Sequence, residues 1–159
     1  MSIFLKYTTL VAILFFSWSC SSPEETTEKK LVVPEKITYL FVTQPSCPSC
    51  DKLEATMELE KPKKLLEAYF EVKKVYLGEK LPDGLPEPNG TPTVYFLGAN
   101  DEVLVEAMIG EKKEQGLIEF LDDALLEFNN TYHVDLVEKA KAIEKAKTVE
   151  SNTTYAKTN

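Results

Sequence analysis

Two of the chain's three cysteines, Cys47 and Cys50, lie three positions apart in the stretch Cys-Pro-Ser-Cys. Two thiols at this spacing can close a disulfide and exchange it with another protein, and the thiolate is the nucleophile in that exchange. The spacing predicts that Cys47 stands exposed and attacks, while Cys50, one helical turn further on, resolves the mixed disulfide. These two side chains are therefore the candidate catalytic residues.

The segments on either side of the pair position it at the start of a helix. Residues 37–43 are β-branched and aromatic, which is typical of a buried strand, and residues 44–46 break it. The unpaired N–H groups and the dipole of a helix start favour negative charge, so a thiol placed there loses its proton more readily. Pro48 has a fixed φ suited to the first helical position and lacks a donor that would go unpaired, and Ser49 completes the intervening dipeptide that tunes the thiolate.

The rest of the chain alternates strand and helix patterns. After the helix that carries Cys50 and a break at Pro62, the patterns predict a helix at 63–70, strands at 71–77, 93–97 and 103–109, a loop at 78–90 and a closing amphipathic helix at 112–128. The first two strands should be parallel, and the short turn after residue 97 predicts an antiparallel hairpin. The expected fold class is α/β, with a central mixed four-stranded sheet flanked by helices.

Three other interpretations of the cysteine pair remain open. The pair can be a structural disulfide that only fixes the start of the helix, or an inactive remnant of a redox site. Half of a zinc site is the third, but zinc requires four ligands and His133, the single histidine, is some eighty residues away. We therefore expect no metal site and no bound cofactor beyond the disulfide itself.

The motif and its surroundings resemble the thioredoxin superfamily over residues 36–129. The resemblance rests on the Cys-Pro-Ser-Cys motif after a buried strand, on Gly90-Thr91-Pro92-Thr93 before the third strand, and on the closing helix. It is greatest for exported types such as the C-terminal domain of the bacterial thiol:disulfide interchange transporter. The resemblance implies a cis bond at Pro92, substrate contacts from Thr91 and Pro92, protein thiols or disulfides as substrates, and a redox partner that resets the pair.

The chain departs from the superfamily pattern around the cysteines. Ser46 stands where a tryptophan is usual, and the acidic residue that many thioredoxins bury beneath the site is replaced by Phe41. Lys73, Lys74 and Glu54 are the remaining candidates to assist the deprotonation of Cys50. A copper-binding protein of the same fold, using the two cysteines and His133, is a further alternative.

The first 35 residues resemble an export signal followed by a tether. Lys6 precedes an apolar stretch at 10–16, and the small Ser19 lies before Cys20, as in bacterial lipoprotein signals. We expect residues 1–19 to be the signal, Cys20 to carry the lipid and residues 20–35 to form a flexible tether. The alternative is that Cys20 is an unmodified thiol in a discarded leader. Export would place the chain in the cell envelope, where a disulfide can persist.

Composition excludes two classes of function. The 18 basic side chains, all lysine, face 26 acidic ones for a net charge of −8, which argues against a nucleic-acid partner. No apolar run reaches the roughly 18 residues of a spanning helix, which excludes a multi-pass membrane protein. Residues 130–159 are polar and predict a tail, with a solvated helix at 134–149.

Overall fold

Within residues 32–143 and 145, which the computed structural model describes, four strands form one sheet. They are β1 (Ile37–Thr43), β2 (Phe70–Tyr76), β3 (Thr93–Leu97) and β4 (Met108–Ile109), in the order β2-β1-β3-β4. β1 runs parallel to β2 and antiparallel to β3, and β3 runs antiparallel to β4. The predicted mixed four-stranded sheet is confirmed.

In the described part of the chain, three helices connect or directly follow these strands: α1 (Pro48–Met57), α2 (Glu60–Tyr69) and α3 (Glu114–Tyr132). α1 and α2 together form the crossover from β1 to the parallel strand β2. The chain breaks between them at Glu58 and Leu59, and Pro62 is the third residue of α2. A proline is tolerated there because the first N–H groups of a helix have no intrahelical acceptor.

The larger core lies between the sheet and the three helices. Side chains alternate across a strand, so Ile37, Tyr39 and Phe41 of β1 point to this face. They meet the apolar face of α3, which is formed by Leu117, Leu121, Ala124 and Phe128. Burial of these side chains on one face fixes the plane of the sheet and with it the direction in which β1 ends.

A loop covers the opposite face of the sheet. Leu40, Val42, Tyr95 and Leu97 form a second buried cluster, and Leu81 and Leu85 of the loop at residues 77–92 pack against it. The Tyr95 hydroxyl donates a hydrogen bond of 2.7 Å to the carbonyl oxygen of Pro86. The predicted loop is therefore present, and it is held to the sheet by both apolar and polar contacts.

The fourth strand is shorter than the predicted 103–109. Leu97 bridges to Val103 and Val94 pairs with Met108, so the four residues 104–107 on one side oppose the two residues 95–96 on the other. The two extra residues bulge out of the ladder, as they do in irregular hairpins. Leu104 in the bulge packs in the larger core. Because it is apolar and buried like a strand residue, the sequence pattern did not distinguish the bulge from a continuous strand.

The packed core continues beyond residue 129. α3 ends at Tyr132, which is buried, and its hydroxyl accepts a hydrogen bond of 2.6 Å from the Ala99 N–H. His133 caps the helix in a left-handed conformation, and Leu136 in the following helical residues 136–143 is also buried. The first turn of the predicted solvated helix is thus attached to the core.

The predictions for the N-terminal segment concern residues that lie almost entirely outside the described part. The signal at 1–19, Cys20 and most of the tether are among them, as are residue 144 and residues 146–159 of the tail. None of the helices in residues 32–143 and 145 is both long and apolar enough to cross a membrane.

Candidate active site

The two cysteines lie at the junction of β1 and α1. β1 ends at Thr43, three exposed residues follow, and Cys47 is the N-cap of α1. Ser46, directly before it, has a φ of 55°, which is uncommon for a residue with a side chain. This sharp turn lets the chain pass from the end of a buried strand into a helix within a few residues.

Cys47 and Cys50 form a disulfide, with their Cα atoms 5.2 Å apart. Cys50 is 1% exposed and Cys47 is 6% exposed. The prediction that Cys47 stands exposed is wrong for this disulfide form, since both cysteines are buried, although Cys47 is the less buried of the two. Cys47 is buried because Thr91 packs against it from across the sheet.

Backbone donors at the helix start converge on Cys47. Its Sγ accepts a hydrogen bond of 3.2 Å from the Cys50 N–H, and its carbonyl accepts bonds from the N–H groups of Cys50 and Asp51. Pro48 occupies the first helical position, and Ser49 follows it, half-buried. A thiolate on Cys47 would therefore meet an N–H donor at its sulfur and the positive end of the helix dipole.

The segment before β3 faces the disulfide. Thr91 Oγ1 lies 3.5 Å from Cys47 Sγ, and the Thr91 carbonyl oxygen lies 3.8 Å from the same sulfur. The Thr91–Pro92 peptide bond is cis, and the Pro92 carbonyl accepts a hydrogen bond of 2.8 Å from Gly110 N–H. The residues that the resemblance assigned to substrate contacts are thus brought together with the cysteines, although their role stays a prediction.

Phe41 occupies the position at which many thioredoxins bury an acidic residue. Phe41 is buried in the larger core, to which Cys50 also belongs, and it lies opposite Lys74 in the parallel ladder. Lys74 Nζ lies 5.7 Å from the Phe41 ring centre and 2.6 Å from Glu54 Oε1. The hydrogen bond to Glu54 raises the pKa of Lys74 above its usual value. Lys73 instead pairs with Glu71, so of the three candidates only Lys74 and Glu54 act as a unit.

The geometry separates His133 from the cysteines. His133 follows Tyr132, the last residue of α3, which is hydrogen-bonded to Ala99 just after the carboxyl end of β3. Cys47 instead contacts Thr91, just before the amino end of β3. Within residues 32–143 and 145, no cluster of three or more His, Cys, Asp or Glu side chains is arranged to hold a metal ion. The copper alternative therefore lacks its third ligand near the pair in the described part of the chain.

Two contacts that sequence reasoning missed join α1 to the segment before α3. Lys52 Nζ lies 3.1 Å from Glu111 Oε2, and Thr56 Oγ1 donates a hydrogen bond of 3.0 Å to the Lys112 carbonyl. The partners are more than fifty residues apart in sequence, and no local pattern pairs them. They hold the helix that carries the cysteines against the loop that supports Pro92.

The cis Thr91–Pro92 segment lies against the Cys47–Cys50 disulfide, as the sequence resemblance implied. The disulfide lies at the start of α1 on a sheet with the strand order β2-β1-β3-β4. The chain has a thioredoxin-like fold. No family model matches it, and no curated protein matches it in sequence.

Among solved structures, the chain is similar to the periplasmic thioredoxin SoxS from Paracoccus pantotrophus in its reduced form, with 22% identity and a TM-score of 0.48 over 58% of this chain and 98% of that one. It is also similar to a disulphide isomerase from Xylella fastidiosa Temecula1, with 22% identity and a TM-score of 0.45 over 55% of this chain and 77% of that one. A thioredoxin from Thermus thermophilus shows 22% identity and a TM-score of 0.42 over 55% of this chain and 72% of that one.

Proposed function

We propose that this chain is a thiol–disulfide oxidoreductase of the cell envelope that exchanges disulfides with protein substrates through Cys47 and Cys50. The observation that carries the proposal is the position of the disulfide: it closes the first turn of α1, with a backbone donor at Cys47 Sγ and Thr91 in contact with the same sulfur. A purely structural staple needs neither the donor nor the facing segment.

The exchange needs no bound cofactor. In the reduced chain the Cys47 thiolate attacks one sulfur of a substrate disulfide, whose bond breaks, and the displaced substrate thiolate takes up a proton. The Cys50 thiol then loses its proton and attacks Cys47 Sγ, which closes the Cys47–Cys50 disulfide and expels the second substrate thiolate. Two electrons have passed to the substrate. The reverse sequence oxidises a substrate dithiol, and in either direction an external dithiol or disulfide partner resets the pair.

Thr91 and Pro92 are proposed to shape the groove in which the substrate lies. Thr91 presents both its hydroxyl and its carbonyl to Cys47 Sγ, so a polypeptide whose sulfur approaches Cys47 must pass along this residue. Pro48 and Ser49 border the opposite side as the first residues of α1. Pro48 is exposed and contributes an apolar surface without an N–H that would need a partner.

The location in the envelope rests on the N-terminal sequence. Removal of the signal at residues 1–19 and lipid attachment at Cys20 would tether the domain to a membrane, facing the periplasm or the exterior. The oxidising conditions there allow the disulfide to persist until a reductant resets it. Lipid attachment is tested by labelling with a radioactive fatty acid, which should be lost when Cys20 is replaced by Ser.

Turnover with a protein disulfide is one test of the proposed function. With dithiothreitol as reductant, the purified chain should accelerate the reduction of a protein disulfide such as that of insulin. The matched control is the double variant Cys47→Ala and Cys50→Ala, which should be at the uncatalysed rate. Equal rates for the two proteins would indicate that the disulfide is structural, and the proposed activity would be wrong.

A further inference from the structure

A cavity of about 560 Å³ lies between the loop that covers the second face of the sheet and the ends of β1 and β2. Its volume is within the range of sites that bind ligands or large side chains. Apolar side chains form much of its wall, namely Val42, Leu77, Leu81, Pro82, Leu85 and Pro88. Leu77 is 44% exposed, so part of this apolar surface is open to a partner.

The cavity adjoins the cysteine site through the backbone at both ends of the loop. At one end the Leu77 N–H donates a hydrogen bond of 2.8 Å to the Thr43 carbonyl, at the carboxyl end of the strand that leads to Cys47. At the other end the loop runs through Gly90 into Thr91, which contacts Cys47 Sγ. The cavity wall and Thr91 thus belong to one continuous loop beside the end of β1, which is the basis for assigning both to one substrate polypeptide.

The charges at the cavity select for a cationic partner. Three carboxylates, of Glu79, Asp83 and Glu87, line it together with one ammonium group, that of Lys80. Lys80 Nζ lies 3.6 Å from an Asp83 carboxylate oxygen, so these two charges offset each other and Glu79 and Glu87 leave the cavity wall with a formal excess of two negative charges. A second copy of this chain is a poor occupant because its net charge is −8.

We propose that this cavity is a specificity subsite for the substrate polypeptide: it takes an apolar side chain that lies within a few residues of the reacting cysteine and is flanked by lysine or arginine. The proposal rests on the proposed function, since the occupant is the segment that carries the exchanged disulfide. The apolar wall removes the side chain from water, and the carboxylates interact with the flanking cations.

The test uses short peptides whose single cysteine is joined to glutathione by a disulfide. One peptide carries Leu flanked by two Lys next to the cysteine, a second carries Leu flanked by two Glu, and a third has Ser in place of Leu between the two Lys. The chain is first reduced with dithiothreitol and freed of it, so that its dithiol supplies the two electrons. Release of glutathione is then followed with the chain in excess over peptide, and the second-order rate constant serves as the measure of kcat/KM. The wild-type chain should prefer the first peptide over each of the others by at least about five-fold, as expected for two charges or one buried side chain.

Two exposed cavity residues are changed in turn, each with a matched control elsewhere. Glu87→Lys should abolish the preference for Lys over Glu, whereas Asp123→Lys, the same type of charge reversal on an exposed residue of α3, should leave it intact. Leu77→Ser should abolish the preference for Leu over Ser, whereas Leu126→Ser, at an exposed position of α3, should not.

Reaction with hydroxyethyl disulfide, which is too small to reach both sites, separates the two proposals. If all variants reduce it equally and the cavity variants alone lose peptide preference, the subsite is supported. If the small disulfide is reduced but the wild-type chain shows no peptide preference, the subsite is wrong and the proposed function stands. If the chain reduces neither the small disulfide nor the peptides, both proposals are wrong.

Discussion

Replacing Cys47 by Ser is expected to lower the rate of disulfide exchange by roughly 10³-fold or more, the scale of losing an enzyme's nucleophile. Replacing Cys50 by Ser should have a different result. Cys47 can still attack, but the mixed disulfide with the substrate is not resolved and accumulates. The asymmetry follows from the structure because Cys47 Sγ, not Cys50 Sγ, accepts the backbone N–H at the helix start and lies beside Thr91, and Cys47 is the less buried of the two, at 6% against 1% exposed.

Trapping measures this asymmetry directly. Each variant is reduced, freed of reductant and mixed with a protein that contains an accessible disulfide, and the covalent complex is measured by non-reducing electrophoresis and mass spectrometry. Cys50→Ser should form a complex that dithiothreitol reverses, and Cys47→Ser should form little. The chains should begin at Ser21, so that Cys20 cannot contribute. Equal trapping by the two variants would contradict the assigned roles.

Replacing Gly98 by Ala is expected to lower the free energy of unfolding by about 2–4 kcal/mol, the sum of overpacking and the loss of a buried hydrogen bond. A Cβ at this position would overlap the Tyr132 hydroxyl and lie 3.0 Å from Glu102 Oε1 and 3.1 Å from Leu104 Cδ2. The Tyr132 hydroxyl would have to move, and it would then lose the hydrogen bond that it accepts from Ala99 N–H. Urea unfolding measures the change.

Two comparison variants show whether the crowding at Gly98 is the cause. Gly116→Ala lies in α3, where the nearest atom to an added Cβ is 3.8 Å away, so this variant should be stabilised by about 0.4–1 kcal/mol. Tyr132→Phe leaves the Ala99 N–H without its partner and should cost about 1–3 kcal/mol. If Gly98→Ala were as stable as wild type, the end of α3 would not be packed on the turn after β3 as described.

Local patterns were sufficient to predict the elements that carry the site. The apolar run of β1, the break after it and the cysteines at the start of α1 lie within about twenty residues, and each is encoded by residue types at short spacing. The four-stranded sheet also followed, because a helical crossover and a short turn leave few ways to pair the strands. The resemblance added the Thr91–Pro92 segment, which lies some forty residues from Cys47 in sequence.

Features that depend on distant residues were not predicted. The bulge between β3 and β4 arises because Leu104 packs in the core, and the apolar pattern of residues 103–109 does not distinguish that from a regular strand. Tyr132 is bound to Ala99, a residue 33 positions earlier, so a polar stretch after residue 129 did not indicate a packed helix end. The cavity likewise requires the loop to be folded against the sheet.

The surroundings of Cys50 were only partly predictable. Substitution of the usual buried acid by Phe41 was evident in sequence, but the partner of Lys74 was not. The structure joins Lys74 to Glu54, which lies one helical turn beyond Cys50 on α1. This ion pair is about half exposed, so it places an ammonium group beside the helix that carries the cysteines without burying a charge.

The reduction potential of the Cys47–Cys50 pair is the measurement that tests the proposed activity most directly. The chain beginning at Ser21 is equilibrated with glutathione or dithiothreitol buffers, and its free thiols are counted after alkylation. Tryptophan fluorescence cannot serve as the probe because Trp18, the single tryptophan, precedes Ser21. A thiol–disulfide catalyst should titrate reversibly between about −270 and −120 mV, the span of known catalysts. A disulfide that stays closed well below about −300 mV would be a structural staple, which would contradict the proposed activity.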